Sequence, residues 1–282
     1  MSQSPHGILE GKIKIPTLPS IYNEINEAVE DPEGSFTEIG RIISGDASLS
    51  ARLLQIVNSS FYGFPSEIET ISHAVTIVGT AQLRDLILAT MVMSQFNGVP
   101  RELVDMKMFW AHSVGCGLAA RIIAVYRREP NAERFYVTGI LHDLGRLVLF
   151  INATDALKQA VEMAKESGIL LTKAEQNVLG FDHAEVGAAL LKKWDLSERL
   201  AEVVHYHHKP SEAPNFPLEA AIVHLADLIV HGMELGRSGE RFVPPLDPRA
   251  WKIIGLPPSI MGSIVEQLDR QFEDTITMFV DH

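Results

Sequence analysis

Along this chain apolar residues recur every three or four positions, the spacing that lines one face of a helix, and no stretch alternates in the two-residue rhythm of a strand. Between Ser20 and Val29 the repeat is carried by Ile21, Ile25, Ala28 and Val29. Ser35 and Glu38 have capping-box spacing ahead of a helix through Ile43. Asp46 then caps a helix bearing Leu49, Leu53, Leu54, Ile56 and Val57, and Asn58-Ser59-Ser60 reads as its polar stop. Gly63 and Pro65 mark a turn before a helix through Val75 and Val78. Thr80 opens another, with Leu83, Leu86, Ile87 and Met91 on its apolar side. Asn97-Gly98-Val99-Pro100 is the strongest break in the first half, so an N-terminal helical subdomain is expected over 1–100.

The second half predicts a helix from Glu102 to about Arg127, then one central buried helix over Val137–Phe150, which is apolar nearly all round. Helices follow over Asp155–Ser167 and Thr172–Leu179, and from Asp182 to Trp194 with Glu185 at the box position. Two more are read from Ser197 to His208 and over Leu218–Glu234. Gly236–Pro248, rich in glycine, proline and charge, reads as a loop, and Ile260–Phe272 as a closing helix. The fold class is all-α: a multi-helix domain over 101–235 after the N-terminal subdomain, with 236–282 packing on the rest.

Some polar residues fall on the apolar faces. Leu200, Val203 and Val204 define a stripe whose continuation at i+7 and i+8 is His207 and His208. His183 shares a side with Val186, Leu190 and Trp194, and Asp227 sits within the arc of Ala220, Val223, Ala226 and Val230. His142 and Asp143 interrupt the most apolar helix, where an aspartate is costly to bury without a cation. His112 follows Phe109 by one turn and precedes Cys116 by one. Any one inward histidine is more often a hydrogen-bonded core residue than a ligand. Together, five histidines and two aspartates can satisfy two metal ions with a carboxylate between them, and the N/O set suits iron, manganese or zinc better than magnesium or calcium.

Composition narrows the class. In 282 residues, 24 Lys+Arg against 36 Asp+Glu give a net charge of −12, which argues against nucleic acid as a partner. The 46% hydrophobic and 21% charged content is that of a globular chain and excludes long disorder. The one cysteine, Cys116, excludes an intramolecular disulfide framework and fits a reducing cytosol; between Gly115 and Gly117 it reads as a packing residue. The polar N-terminus lacks a secretory signal, and the apolar runs around Leu86–Met93 and Val137–Ile151 are shorter than a bilayer span. No membrane partner and a cytoplasmic location are expected. Eleven histidines stand out against this ordinary background.

The order His…His-Asp…His…His-His…Asp carries a resemblance. Gly139-Ile140-Leu141-His142-Asp143-Leu144-Gly145-Arg146 resembles the signature of the HD superfamily of metal-dependent phosphohydrolases. Trp110-Ala111-His112-Ser113 is similar to its first-ligand helix, and His183, His207-His208 and Asp227 fall where the dinuclear HD-GYP branch places its remaining ligands. In the first half, Ile15-Pro16-Thr17-Leu18-Pro19, Ile43-Ser44-Gly45-Asp46-Ala47-Ser48-Leu49, the stretch Leu54–Gly63 and Ile71-Ser72-His73-Ala74-Val75 resemble the HDOD family of HD-related output domains, as does Phe181–Gly187. The resemblance implies an HD-like helical domain with one or two divalent ions, iron or manganese with zinc as the alternative. The ligands would be His112, His142, Asp143, His183, His207, His208 and Asp227.

The departures shape the functional expectation. A Gly-Tyr-Pro loop after the histidine pair is absent, since Lys209-Pro210-Ser211-Glu212 follows His208. The lysine usual after the His-Asp dipeptide is Arg146, and Met108 stands where trinuclear enzymes carry a glutamate, so at most two metals are expected. These changes argue against cyclic di-GMP hydrolysis. The first expectation is a bacterial signalling module that contacts protein partners and keeps an HD-type metal site. The alternative is a phosphohydrolase of nucleotides or phosphodiesters, with Asp143 bridging two metals and Arg146 stabilising phosphate charge. A small phosphorylated ligand is compatible with either; the sequence names neither the partner nor the oligomeric state.

Overall fold

The computed structural model describes residues 4–10, 15–96 and 104–280, and among them all regular structure is helical. The first part holds α1 (Pro5–Leu9), α2 (Ser20–Glu30), α3 (Phe36–Ser44), α4 (Ala47–Val57), α5 (Ile71–Val78) and α6 (Thr80–Gln95). The second holds α7 (Met106–Tyr126), α8 (Glu133–Leu141), α9 (Leu144–Asn152), α10 (Thr154–Ser167), α11 (Leu171–Leu179) and α12 (His183–Lys193). It continues with α13 (Glu198–Tyr206), α14 (Pro217–Gly232), α15 (Ala250–Ile254) and α16 (Met261–Val280).

Local chemistry sets most of these ends. Oxygens of Ser35, Asp46 and Thr70 accept from backbone N–H groups three residues on, satisfying donors that a helix start leaves free. Asp182 and Glu185 form a reciprocal capping box on α12. Asn58 stops α4 by bonding both backbone groups of Ile68, at 2.9 and 2.7 Å, which closes the loop between them.

Helix α7 is the axis of the second part, with α8, α14 and α16 packed around it. At 21 residues it is long and apolar enough to span a bilayer, but nearly all of it is buried inside the fold, as a core helix should be. It begins at Met106, where Asp105 accepts from Met108 N–H, four residues later than its apolar spacing suggests. The break Asn97–Pro100 and Glu102 lie outside the described residues. Apolar contact is continuous from Ile8 to Ile276. Within it Phe61 meets the Tyr136 ring edge-on at 4.8 Å, and the Arg121 guanidinium caps Phe61 at 4.0 Å.

Two expected helices are corrected. Val137–Phe150 is not continuous: α8 ends at Leu141 and α9 starts at Leu144, with Asp143 off helical geometry at φ −100° and ψ 6°. Neighbours on an unbroken helix point about 100° apart, so His142 and Asp143 could not both face one centre without that break. Likewise α13 ends at Tyr206, leaving His207 at its C-cap and His208 in the next turn. Helix α1 was not foreseen, and α16 runs past the expected end at Phe272.

Candidate metal centre

Five places in the second part supply the predicted residues: His112 on α7, His142 and Asp143 at the α8–α9 break, His183 at the start of α12, His207 and His208 after α13, and Asp227 on α14. The structure brings all seven together. His208 is half-buried and the other six are buried. They form two adjoining groups, one of His112, His142 and Asp227 with Cys116, the other of Asp143, His183, His207 and His208; ligand atoms in each lie within 4.8 Å of one another. Asp143 stands between them. Its Oδ2 is 3.8 Å from His112 Nε2 and 3.5 Å from His142 Nε2, while Oδ1 is 2.9 Å from His183 Nε2 and 3.9 Å from His207 Nε2. One carboxylate thus offers an oxygen to each group.

Close backbone approach makes this possible. A Cβ on Gly145 would overlap the His183 carbonyl and the Gly187 nitrogen, so only glycine lets α9 and α12 meet here. The ring orientations are fixed as well. His142 Nδ1 donates to Gly139 O at 2.6 Å and His207 Nδ1 to Val204 O at 2.7 Å. Each ring therefore turns its Nε2 inward, and both of these buried nitrogens lack a hydrogen-bond partner. Buried polar atoms left without a partner are costly unless a cation joins them to the neighbouring carboxylates. The donor set therefore fits a divalent metal ion.

Four further residues complete the surroundings. Glu175, fully buried on α11, accepts from the His183 backbone N–H at 3.0 Å and lies 2.6 Å from His183 Nδ1, leaving Nε2 toward Asp143. It continues the stripe of Leu171, Ala174 and Val178, so the spacing that picked out Asp227 would have found it. His231, one turn after Asp227, lies 3.0 Å from its Oδ1. His224 donates to His207 O at 2.8 Å and accepts from Asp247 N–H at 3.0 Å. Ser238 carried no periodic signal because it sits in the loop after α14. His73, which had no expected role, is exposed.

Arg146 does not offer a free guanidinium. It is 1% exposed, 3.1 Å from Asp143 Oδ2, 3.6 Å from Glu175 Oε1, and donates to Ser238 Oγ at 2.7 Å and Ser238 O at 3.2 Å. The strap bearing Ser238 is pinned at both ends: Arg237 N–H donates to Met108 O at 2.8 Å, and Glu240 accepts from Leu171 N–H at 2.7 Å. Gly236 begins it at φ +80°, where a Cβ would collide with the His112 backbone. Cys116, read as a packing residue, also belongs to the cluster, 3.6 Å from His112 Nε2.

Charge balance follows from these contacts. Burial resists ionisation of Asp143, but Arg146, His142 and His183 outweigh it and hold its carboxyl well below the usual range. Burial, then the charge of His142 and His183, pushes His207 down to about 3. Burial and Arg146 oppose a proton on His183, yet Glu175 and Asp143 prevail and raise it to about 10.

An all-helical fold with this ordered His-Asp constellation defines an HD-type protein. The chain belongs to the HDOD domain family, whose profile matches residues 15–210, so Asp227 lies beyond the matched stretch. An uncharacterised protein of Treponema pallidum (strain Nichols) is 30% identical over 201 residues, which is 71% of this chain and 39% of that relative. The chain thus spans well under half of the curated relative it matches. A crystal structure of an HDOD domain protein of unknown function from Geobacter sulfurreducens superposes with a TM-score of 0.79 at 27% identity, covering 96% of each chain. A proposed phosphohydrolase from Shewanella amazonensis superposes with a TM-score of 0.73 at 23% identity, over 97% of this chain and 95% of that one, a likeness of fold.

Proposed function

We propose that this chain is a signalling module that holds a divalent metal in a closed centre and acts by contact with protein partners. The observation that carries this reading is the state of Arg146. The cation that the sequence places beside Asp143 to meet a phosphate is buried, paired with Asp143 and Glu175, and covered by Ser238. Structural metal sites are closed by protein ligands, whereas catalytic ones keep a position open. Iron, manganese and zinc all suit the N/O donors.

Elemental analysis of full-length protein purified without chelator tests the first half of this statement. Near-stoichiometric metal is expected, and its loss in His207→Ala/His208→Ala. A panel of nucleotides and phosphodiesters tests the second half, with no metal-dependent turnover expected. Turnover that disappears in His142→Ala/Asp143→Ala would overturn the reading.

One observation favours the phosphohydrolase reading. Half-buried His208 borders a cavity of about 610 Å³ lined also by Lys209, Ser211, Asp247 and Arg249, which gives the second group of ligands a path to solvent. A bound metal would lower the pKa of a water and polarise a phosphoryl oxygen. Lys209 and Arg249 would attract a small phosphorylated ligand. In a larger cleft of about 1060 Å³ between α2, α6, α8 and the α12–α13 connection, Arg84, Arg134 and Arg199 are paired with Glu30, Asp85, Glu129 and Glu219, and Lys193 donates to Leu9 O, so these cations already have partners.

A further inference from the structure

We propose that Cys116 is itself a metal ligand, closing a four-coordinate site with His112, His142 and Asp227 and giving one position of the centre a sulfur-bearing donor set suited to zinc or cobalt. The inference rests on the metal-holding reading above and goes beyond it in naming a ligand outside the His/Asp set.

The argument is geometric. His112 and Cys116 are one helical turn apart on α7, so their side chains share a face. Metal–sulfur bonds of about 2.3 Å and metal–nitrogen or metal–oxygen bonds of about 2.0–2.2 Å, at tetrahedral angles, require neighbouring ligand atoms about 3.3–3.6 Å apart. The Cys116 Sγ lies 3.6 Å from His112 Nε2 and 3.9 Å from Asp227 Oδ1. His112 Nε2 and His142 Nε2 lie 3.2 and 3.7 Å from that same Oδ1. Four of the six separations in this set therefore stand near tetrahedral values before any ion draws the atoms in, and all six lie within 4.8 Å. A second observation points at the same spot. His142 Nε2 is buried without a hydrogen-bond partner and turned toward it by the Gly139 bond.

Asp143 Oδ2 is the competing fourth ligand, at 3.5 and 3.8 Å from the same two imidazole nitrogens. That oxygen already accepts from Arg146 at 3.1 Å, while the thiol has no cationic partner to give up. Thiolate is the softer donor, and a Cys-His₂-carboxylate set selects zinc over manganese or magnesium. The second group, with Asp143, His183, His207 and His208, has no sulfur. The two halves of the centre should therefore discriminate between metals.

Cobalt(II) is the probe, added to metal-free full-length protein and followed by absorption. A sulfur-to-cobalt charge-transfer band in the near ultraviolet is expected, with intense visible bands of a tetrahedral ion. Cys116→Ser should lose the charge-transfer band while still binding cobalt and keeping its circular dichroism. Cobalt binding with no sulfur band in the unsubstituted protein would overturn the proposal and leave the metal-holding reading standing. Absence of any cobalt or zinc binding would overturn both. Should Cys116→Ser fail to fold, zinc-edge X-ray absorption of the unsubstituted protein decides the matter. A sulfur scatterer at about 2.3 Å supports the ligand, and a shell of nitrogen and oxygen alone removes it.

Discussion

The helices before and after residues 97–103 bury different kinds of side chain. Among the described residues of 4–96 the buried polar side chains are Ser59 and Thr90, and each bonds a carbonyl three or four residues back, Ile56 O at 2.6 Å and Leu86 O at 2.9 Å. Across 104–280 the buried set includes His112, His142, Asp143, Arg146, Glu175, His183, His207 and Asp227. Apolar burial is non-directional and each contact adds a little, so damage there stays local. A buried charge cluster stands only if every member is compensated, so removing one member strands its neighbours.

Arg146→Ala should therefore show the largest effect. It leaves Asp143 and Glu175 without their shared cation, and stripping one partner from a buried ion pair costs about 3–5 kcal/mol. Urea denaturation should register that loss, together with loss of bound metal. The counterpart in the first part is Leu53→Ala, at a fully buried α4 position, expected to cost about 2–5 kcal/mol through its cavity while the metal stays bound. If Leu53→Ala strips the metal, or Arg146→Ala behaves like a surface substitution, the two parts do not differ in the way described.

How far the chain could be read in advance follows the same division. Helical spacing located α2 to α7 and α10 to α14 to within a few residues because local caps end them, as Ser35, Asp46 and Asp182 show, while the short α15 went unassigned. It missed the interruption at His142-Asp143, because periodicity sees an apolar run and not the demand that two adjacent side chains face one point. The seven polar residues were legible from the apolar faces and runs they interrupt, although His142, Asp143, His207 and His208 stand at helix ends and not on those faces. Glu175 was legible by the same rule and was passed over. Ser238 was not legible, since a strap pinned by Met108 O and Leu171 N–H leaves no periodic trace. Nor was the fate of Arg146, whose spacing from Asp143 is right for a phosphate contact but whose three-dimensional neighbours already use the guanidinium.

Glu175→Gln sharpens the comparison at a smaller scale. The amide keeps an acceptor for the His183 backbone N–H but gives up the charge that orients the ring and faces Arg146. Loss of such support for a ligand typically weakens metal affinity by about 10–100-fold, or roughly 1.4–2.7 kcal/mol. Competition with a chromophoric chelator measures it. Unchanged affinity would mean that Asp143 and His208 alone hold His183 in place.

The last expected effect concerns a proton. Glu175 and Asp143, working against burial and Arg146, raise His183 to about 10, so in the metal-free chain it carries a proton at neutral pH. Relative to its ordinary value of 6.5, that raised pKa stabilises the fold fully below about pH 6.5 and loses its contribution as pH climbs through about 10. A metal needs the Nε2 lone pair, so binding must expel the proton, and affinity should rise by up to about tenfold per pH unit across that window. Asp143, already ionised, adds nothing to this slope. In the first part the buried Tyr22, pushed up to about 12 by burial, stays neutral throughout. Calorimetry in buffers of different ionisation enthalpy should report about one proton released when the second group is loaded, and one more where the Cys116 thiol becomes a thiolate. The extra proton should vanish in Cys116→Ser while the first remains. A binding heat that does not depend on the buffer would show that no protonated ligand faces the metal, and the description of His183 as held charged by Glu175 would fall.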